Sequence, residues 1–121
     1  MVFFNKNQIE ELHHLYRANL INSCSGYKSA NLIGTRSAEG ISNVAIFSSV
    51  IHLGSDPALL GFVLRPATVI KNTYDNIKKT KYYTINHIHQ EILADAHHTS
   101  AKYDEKISEF DMTDLSEIFL E

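Results

Sequence analysis

The sequence predicts an α+β fold, mainly β: a mostly antiparallel sheet or barrel with helices at its periphery. Three observations lead there. Short runs of apolar, β-branched and aromatic residues recur at 30–35, 41–50, 59–64 and 82–88, separated by turn-forming residues. Segments with helical spacing flank or separate these runs rather than replace them. The chain has 121 residues, 44% hydrophobic and 21% charged, which suits one globular core and a single domain over residues 1–121.

Taken in order, residues 7–17 read as a helix. Asn7 is placed to cap it, with Glu10 at the capping-box position, and Ile9, Leu12, Leu15 and Tyr16 form one apolar stripe. Residues 22–27 are small and polar and read as a loop or a distorted strand start. Residues 30–35 and 41–50 are strands joined by a hairpin turn at 37–40, where Gly40 meets the need for positive φ. In the second strand Val44, Ile46, Ser48 and Val50 share one face, and Asn43, Ala45, Phe47 and Ser49 the other. Residues 54–57, Gly-Ser-Asp-Pro, are turn chemistry. Residues 59–64 are nearly all apolar, the composition of a strand buried on both faces, and Pro66 stops it. Thr73 is placed to cap a short helix over 74–79 with Tyr74 and Ile77 on its inner face. A strand follows over 82–88, a helix over 91–98, and one or two helical turns over 115–120.

The formal net charge of −3 gives no basic surplus for a nucleic-acid backbone. No apolar run approaches membrane-spanning length, and the first residues lack the pattern of a signal peptide. Cys24 is the only cysteine, so no intramolecular disulfide forms, and a reducing, cytoplasmic compartment is expected. The glycine-rich phosphate cradles, the nucleophile elbow, H-E-x-x-H and C-x-x-C are all absent from the sequence. Of the seven histidines only His87 and His89 have a spacing that shares a strand face, too few for a zinc site. Cys24 has no neighbour in sequence that marks it as a nucleophile.

The densest polar cluster is 43–55. Ser48 and Ser49 end a strand with adjacent hydroxyls and backbone N–H groups, and Arg65 closes the next apolar run. Hydroxyls, amides and one arginine suit a phosphate that needs orientation more than strong charge. The alternative is that the serines only turn the chain while Arg65 pairs with a surface carboxylate. The residues alone leave both readings open.

Five blocks then occur in an order that resembles the flavin reductase-like family: A-N-L-I-G-T at 30–35, F-S-S-V-I-H-L-G-S at 47–55, L-G-F-V-L-R-P at 60–66, Y-Y-T-I-N-H-I at 82–88 and A-H-H-T-S-A-K-Y at 96–103. The resemblance runs from about residue 8 to about residue 115. It implies an FMN-binding split β-barrel with peripheral helices, paired as a homodimer with flavin sites near the subunit interface. It further implies that Ser48, Ser49, Val50, Arg65 and Thr68 approach the flavin phosphate and ribityl chain. Asn86 and His87 are weaker candidates for the isoalloxazine side, and Ser100 and Lys102 fall in a further family block. The reaction implied is hydride transfer from NAD(P)H to the flavin N5, with no protein nucleophile. A non-enzymatic FMN electron carrier and a dimeric scaffold that has lost the flavin are the alternatives. Family members continue past 108–110 with strands that complete the barrel, so the expectation for this chain is a split barrel lacking its C-terminal strands.

Overall fold

In the computed structural model, residues 1–65, 72–101, 103–104 and 107–119 are described. Thr68, Lys102 and the expected strand stop at Pro66 lie outside them. The chain opens with two short helices, α1 (Lys6–Glu11) and α2 (His14–Ser23). The continuous helix expected over 7–17 is broken at Leu12, whose extended ψ of 140° ends the first one. The cap is Asn5 rather than Asn7: its side chain accepts from the Gln8 N–H at 2.9 Å, and Gln8 Oε1 accepts from the Asn5 N–H at 2.9 Å. Neither helix buries a residue, so the expected apolar stripe meets no core.

Strands β1 (Asn31–Arg36) and β2 (Ser42–Phe47) form the expected hairpin, closed by Ser37 and Ile41 and by Gly40 at φ 90°. Strand β2 stops at Phe47, so Ser48, Ser49 and Val50 lie in a link and not in the strand expected over 41–50. Strands β3 (Ile51–Ser55) and β4 (Ala58–Gly61) follow as a second hairpin, then α3 (Asn72–Thr80) and β5 (Thr84–His87). A 3-10 turn, Gln90–Ile92, leads into α4 (Leu93–His98), as expected for 91–98. The late helix expected over 115–120 is not formed over 115–119; a 3-10 turn at Glu109–Met112 takes its place as the last regular element among the described residues.

The strands make a three-stranded antiparallel sheet in the order β2-β1-β5 and a separate two-stranded sheet of β3 and β4. Among the described residues they do not close into a barrel. Alternation along β1 sends Leu32 to one face and Asn31, Ile33 and Thr35 to the other, and the register places Ile46 opposite Leu32 and Val44 opposite Gly34. On the Leu32 face, Leu32, Val44 and Ala96 form the buried core with Ile46, Ile88, Ile92, Phe110 and Leu115 packed around it. The opposite face receives α3 through polar side chains. Asn76 Nδ2 donates to Thr35 Oγ1 at 3.1 Å, and Asn43 Nδ2 donates to Thr73 Oγ1 at 3.1 Å. Thr73 therefore sits buried inside the helix instead of capping it, and Tyr74, expected on the inner face, is half exposed. The buried positions of α3 are Thr73 and Asn76.

The apolar run at 59–64 departs furthest from expectation. Leu59 and Leu60 are 50% and 53% exposed, so β4 is not buried on both faces. Among the described residues of 59–64, Phe62, just past β4, makes the ring contacts: it lies edge-on to Phe47 of β2 and to Tyr83 just before β5, with centroids 5.2 Å apart in each case.

Candidate functional site

The end of the sheet where β1 begins gathers most of the sequence-derived candidates. Asn31 pairs with Phe47 on one side and with His87 on the other, so the exits of β2 and β5 flank the entry of β1. From Phe47 the chain passes through Ser48, Ser49 and Val50 before turning into β3. Ser49 then ties this link to the residues after β4. Its hydroxyl donates to the Val63 carbonyl at 3.2 Å and accepts from the Val63 N–H at 3.1 Å. Those two hydrogen bonds hold the serine link beside Val63, two residues before Arg65. Ser48 and Arg65 are both exposed, whereas Ser49 and Val50 are half-buried. The two serines thus differ: Ser49 is a bracket between segments, and Ser48 faces solvent at the rim.

Next to the link, Phe47 meets Phe62 edge-on with ring centroids 5.2 Å apart. Opposite Phe47 in the sheet stands Asn31, a residue that the sequence reading passed over. Asn31 is 1% exposed, its Nδ2 donates to Ser29 Oγ at 3.1 Å, and its Oδ1 is buried with no hydrogen-bond partner. A buried amide oxygen without a donor is costly, by about 1–3 kcal/mol. The signal was present in the sequence as one asparagine inside the apolar run 30–33.

The remaining candidates are held differently. Asn86, opposite Leu32, belongs to the other face of the sheet. Its Nδ2 donates to the Leu32 carbonyl at 3.2 Å and to Thr84 Oγ1 at 3.0 Å, which stitches β5 to β1. Ser100 follows α4, and its hydroxyl donates to the His97 carbonyl at 2.7 Å. His87 is exposed on the Asn31 face. Alternation therefore sends His87 to the Asn31 face of the sheet and Asn86 to the other, while Ser100 lies beyond α4. An open groove of about 210 Å³, walled by Ser37, Glu39, Asn72, Asp75 and Lys79, contains none of them.

Among the described residues, no three His, Cys, Asp or Glu side chains converge on a metal position. Among the same residues, no helix is long and apolar enough to cross a membrane. Burial raises the pKa of the partly buried Glu109 above the ordinary value, against the opposing pull of its own N–H and that of Val44.

Comparison with known proteins places these features in context. The profile of the flavin reductase like domain matches residues 26–119. No protein of curated function matches the chain. Among solved structures, a flavin reductase candidate with a split barrel domain from Shewanella frigidimarina NCIMB 400 is 48% identical, with a TM-score of 0.93 over 100% of this chain and 60% of its own. Nitrilotriacetate monooxygenase component B from Bacillus cereus is 21% identical, with a TM-score of 0.83 over 100% of this chain and 59% of its own. The 2-nitrobenzoate 2-nitroreductase NbaA of Pseudomonas fluorescens is 21% identical, with a TM-score of 0.75 over 92% of this chain and 51% of its own. The last two likenesses speak for the fold alone. The chain spans between half and three-fifths of the length of each of these proteins.

Proposed function

The chain belongs to the flavin reductase like domain family, and from that footing we propose that it binds a flavin, as FMN, and serves hydride transfer between NAD(P)H and that flavin. The observation that carries this reading is the Ser49–Val63 bracket, which ties the Ser48–Val50 link to the segment that leads into Arg65, next to the Phe47–Phe62 ring pair.

The residues present fit such a ligand. The Arg65 guanidinium and the Ser48 hydroxyl are donors suited to a phosphate, and the guanidinium offers bidentate geometry. The backbone N–H groups at 49 and 50 add uncharged donors. Phe47 and Phe62 offer an apolar wall for a planar ring. Flavin, once bound, supplies the redox chemistry, accepting a hydride and passing electrons on. The protein's part is to hold the phosphate, orient the ring and exclude water from one of its faces. His87, on the same face as Asn31, is the residue we assign to the ring side. Asn86 and Ser100 have a lesser claim, because their side chains already bond within their own elements. Pairing of two copies of the chain is part of this reading, and light scattering measures it.

Arg65→Ala tests the site. A charge-assisted phosphate contact is worth about 1.5–3 kcal/mol, so FMN binding should weaken by roughly tenfold to a hundredfold. Riboflavin, which lacks the phosphate, should bind almost as before. Equal losses for both ligands would remove Arg65 from the phosphate site.

A further inference from the structure

We propose that the groove between the β1–β2 turn and α3 is a binding site for a primary ammonium group on a short aliphatic stem, carried by a free alkylamine or by a lysine side chain. The inference rests on this groove alone and not on flavin binding.

The groove lies far from the serine link. The register puts Arg36 opposite Ser42 at the turn and Asn31 opposite Phe47 at the other end of the strands. Five residue steps along a strand span roughly 17 Å. The groove opens at the turn end, between the hairpin and the flank of α3, with a volume of about 210 Å³. That is below the roughly 300–1,000 Å³ of a pocket for a drug-sized molecule, so its ligand is small.

Oxygen acceptors dominate its walls. Asn43 and Asn76 line it and are only 5% and 6% exposed. Each commits its Nδ2 to the network beneath the helix, Asn43 donating to Thr73 Oγ1 and Asn76 to Thr35 Oγ1, both at 3.1 Å. Among the described residues no donor reaches either Oδ1, and unlike Asn31 Oδ1 neither is sealed from solvent. With the donor ends fixed, the acceptor ends are left for whatever fills the groove. Two carboxylates join them, Glu39 from the turn and Asp75 from the first turn of α3. Hydrogen bonds from its own N–H and from the Ser37 hydroxyl hold the Glu39 carboxyl below its ordinary range, so it is ionised at neutral pH. Ile41 and Ile107 add an apolar flank along which methylene groups can lie.

These groups select the ligand. Two amide oxygens and two carboxylates call for a donor-rich cation, and an ammonium brings three N–H donors with its charge. An anion would meet all of those oxygens against the single ammonium of Lys79. A bare metal ion would leave the isoleucine flank unused. Lys79 stands four residues from Asp75 on the same side of α3, so its own ammonium competes with the ligand for that carboxylate.

The test is a titration followed by NMR. Butylamine, Nα-acetyl-lysine methylamide and butanol are each added to the isotope-labelled chain up to about 50 mM at neutral pH and constant ionic strength. The signals followed are the side-chain amides of Asn43 and Asn76. The expected result is a saturable shift with an ammonium compound and none with butanol, and the tighter of the two ammonium compounds tells a free amine from a lysine side chain. Asp75→Asn should weaken binding by at least about fivefold, and Lys79→Gln, which removes the competitor, should tighten it by about twofold. The backbone spectrum of each variant checks that it is folded. No saturable shift with either ammonium compound, or an equal shift with butanol, would overturn the proposal. So would a folded Asp75→Asn variant that binds as the natural chain does, or weaker binding by Lys79→Gln. Flavin is not read, so failure here leaves the proposed function standing.

Discussion

Thr35 Oγ1 receives two amides. Asn76 Nδ2 donates to it at 3.1 Å, and Asn43 Nδ2, which also reaches Thr73 Oγ1, lies at the 3.5 Å limit. All four residues are buried, so α3 is held on the sheet by hydrogen bonds where an apolar seam would be the usual device. Such a network is stable only while each member is satisfied. Thr35→Val keeps the shape and removes the acceptor, which should cost about 1–3 kcal/mol in denaturant unfolding. Thr35→Ser, which keeps the hydroxyl, should cost less than Thr35→Val. The reverse order would mean that the methyl group, and not the network, holds α3. These residues were hard to read in the sequence. Amphipathic reasoning looks for apolar side chains on the inner face and so chose Tyr74, while the helix in fact buries Thr73 and Asn76.

At the scale of elements, the outer edge of β2 is covered by side chains rather than by another strand. Ser108 Oγ donates to the Ser42 carbonyl at 2.8 Å, Glu109 Oε2 accepts from the Val44 N–H at 3.1 Å, and Ser42 Oγ donates to Glu117 Oε2 at 2.5 Å. Because burial raises the folded-state pKa of Glu109, its favourable contribution is present below the unfolded value and is lost as pH rises through the folded one. Glu109→Gln keeps an acceptor for Val44 and has no charge to bury. Its stability relative to the natural chain should therefore increase as pH rises from strongly acidic through the weakly acidic range and level off towards neutrality. A relative loss over the same range would show that the ionised carboxylate is the favoured form. The β1–β2 hairpin was the most legible pair of elements, because alternation, the turn residues and Gly40 all agree. The strand end at Phe47 was less so. Nothing in F-S-S-V marks where pairing stops, since the stop is set by the Ser49 bracket to Val63, fourteen residues away.

For the whole molecule, family and fold were legible from five ordered blocks, and the division of the candidates by the sheet was not. Asn86 and His87 are neighbours in sequence, yet alternation sends them to opposite faces, towards different layers. The exposed hairpin was misread for a related reason. An apolar run such as 59–64 favours a strand, but its composition does not fix how much of it the fold buries. The central claim is that the chain holds a flavin through the Ser48–Val50 link and Arg65, with His87 on the ring side. Its most direct test is gel filtration of the purified chain with FMN, recording protein and flavin absorbance together. The account predicts that flavin elutes with the protein. Flavin eluting alone, from a chain whose circular dichroism shows it folded, would contradict it.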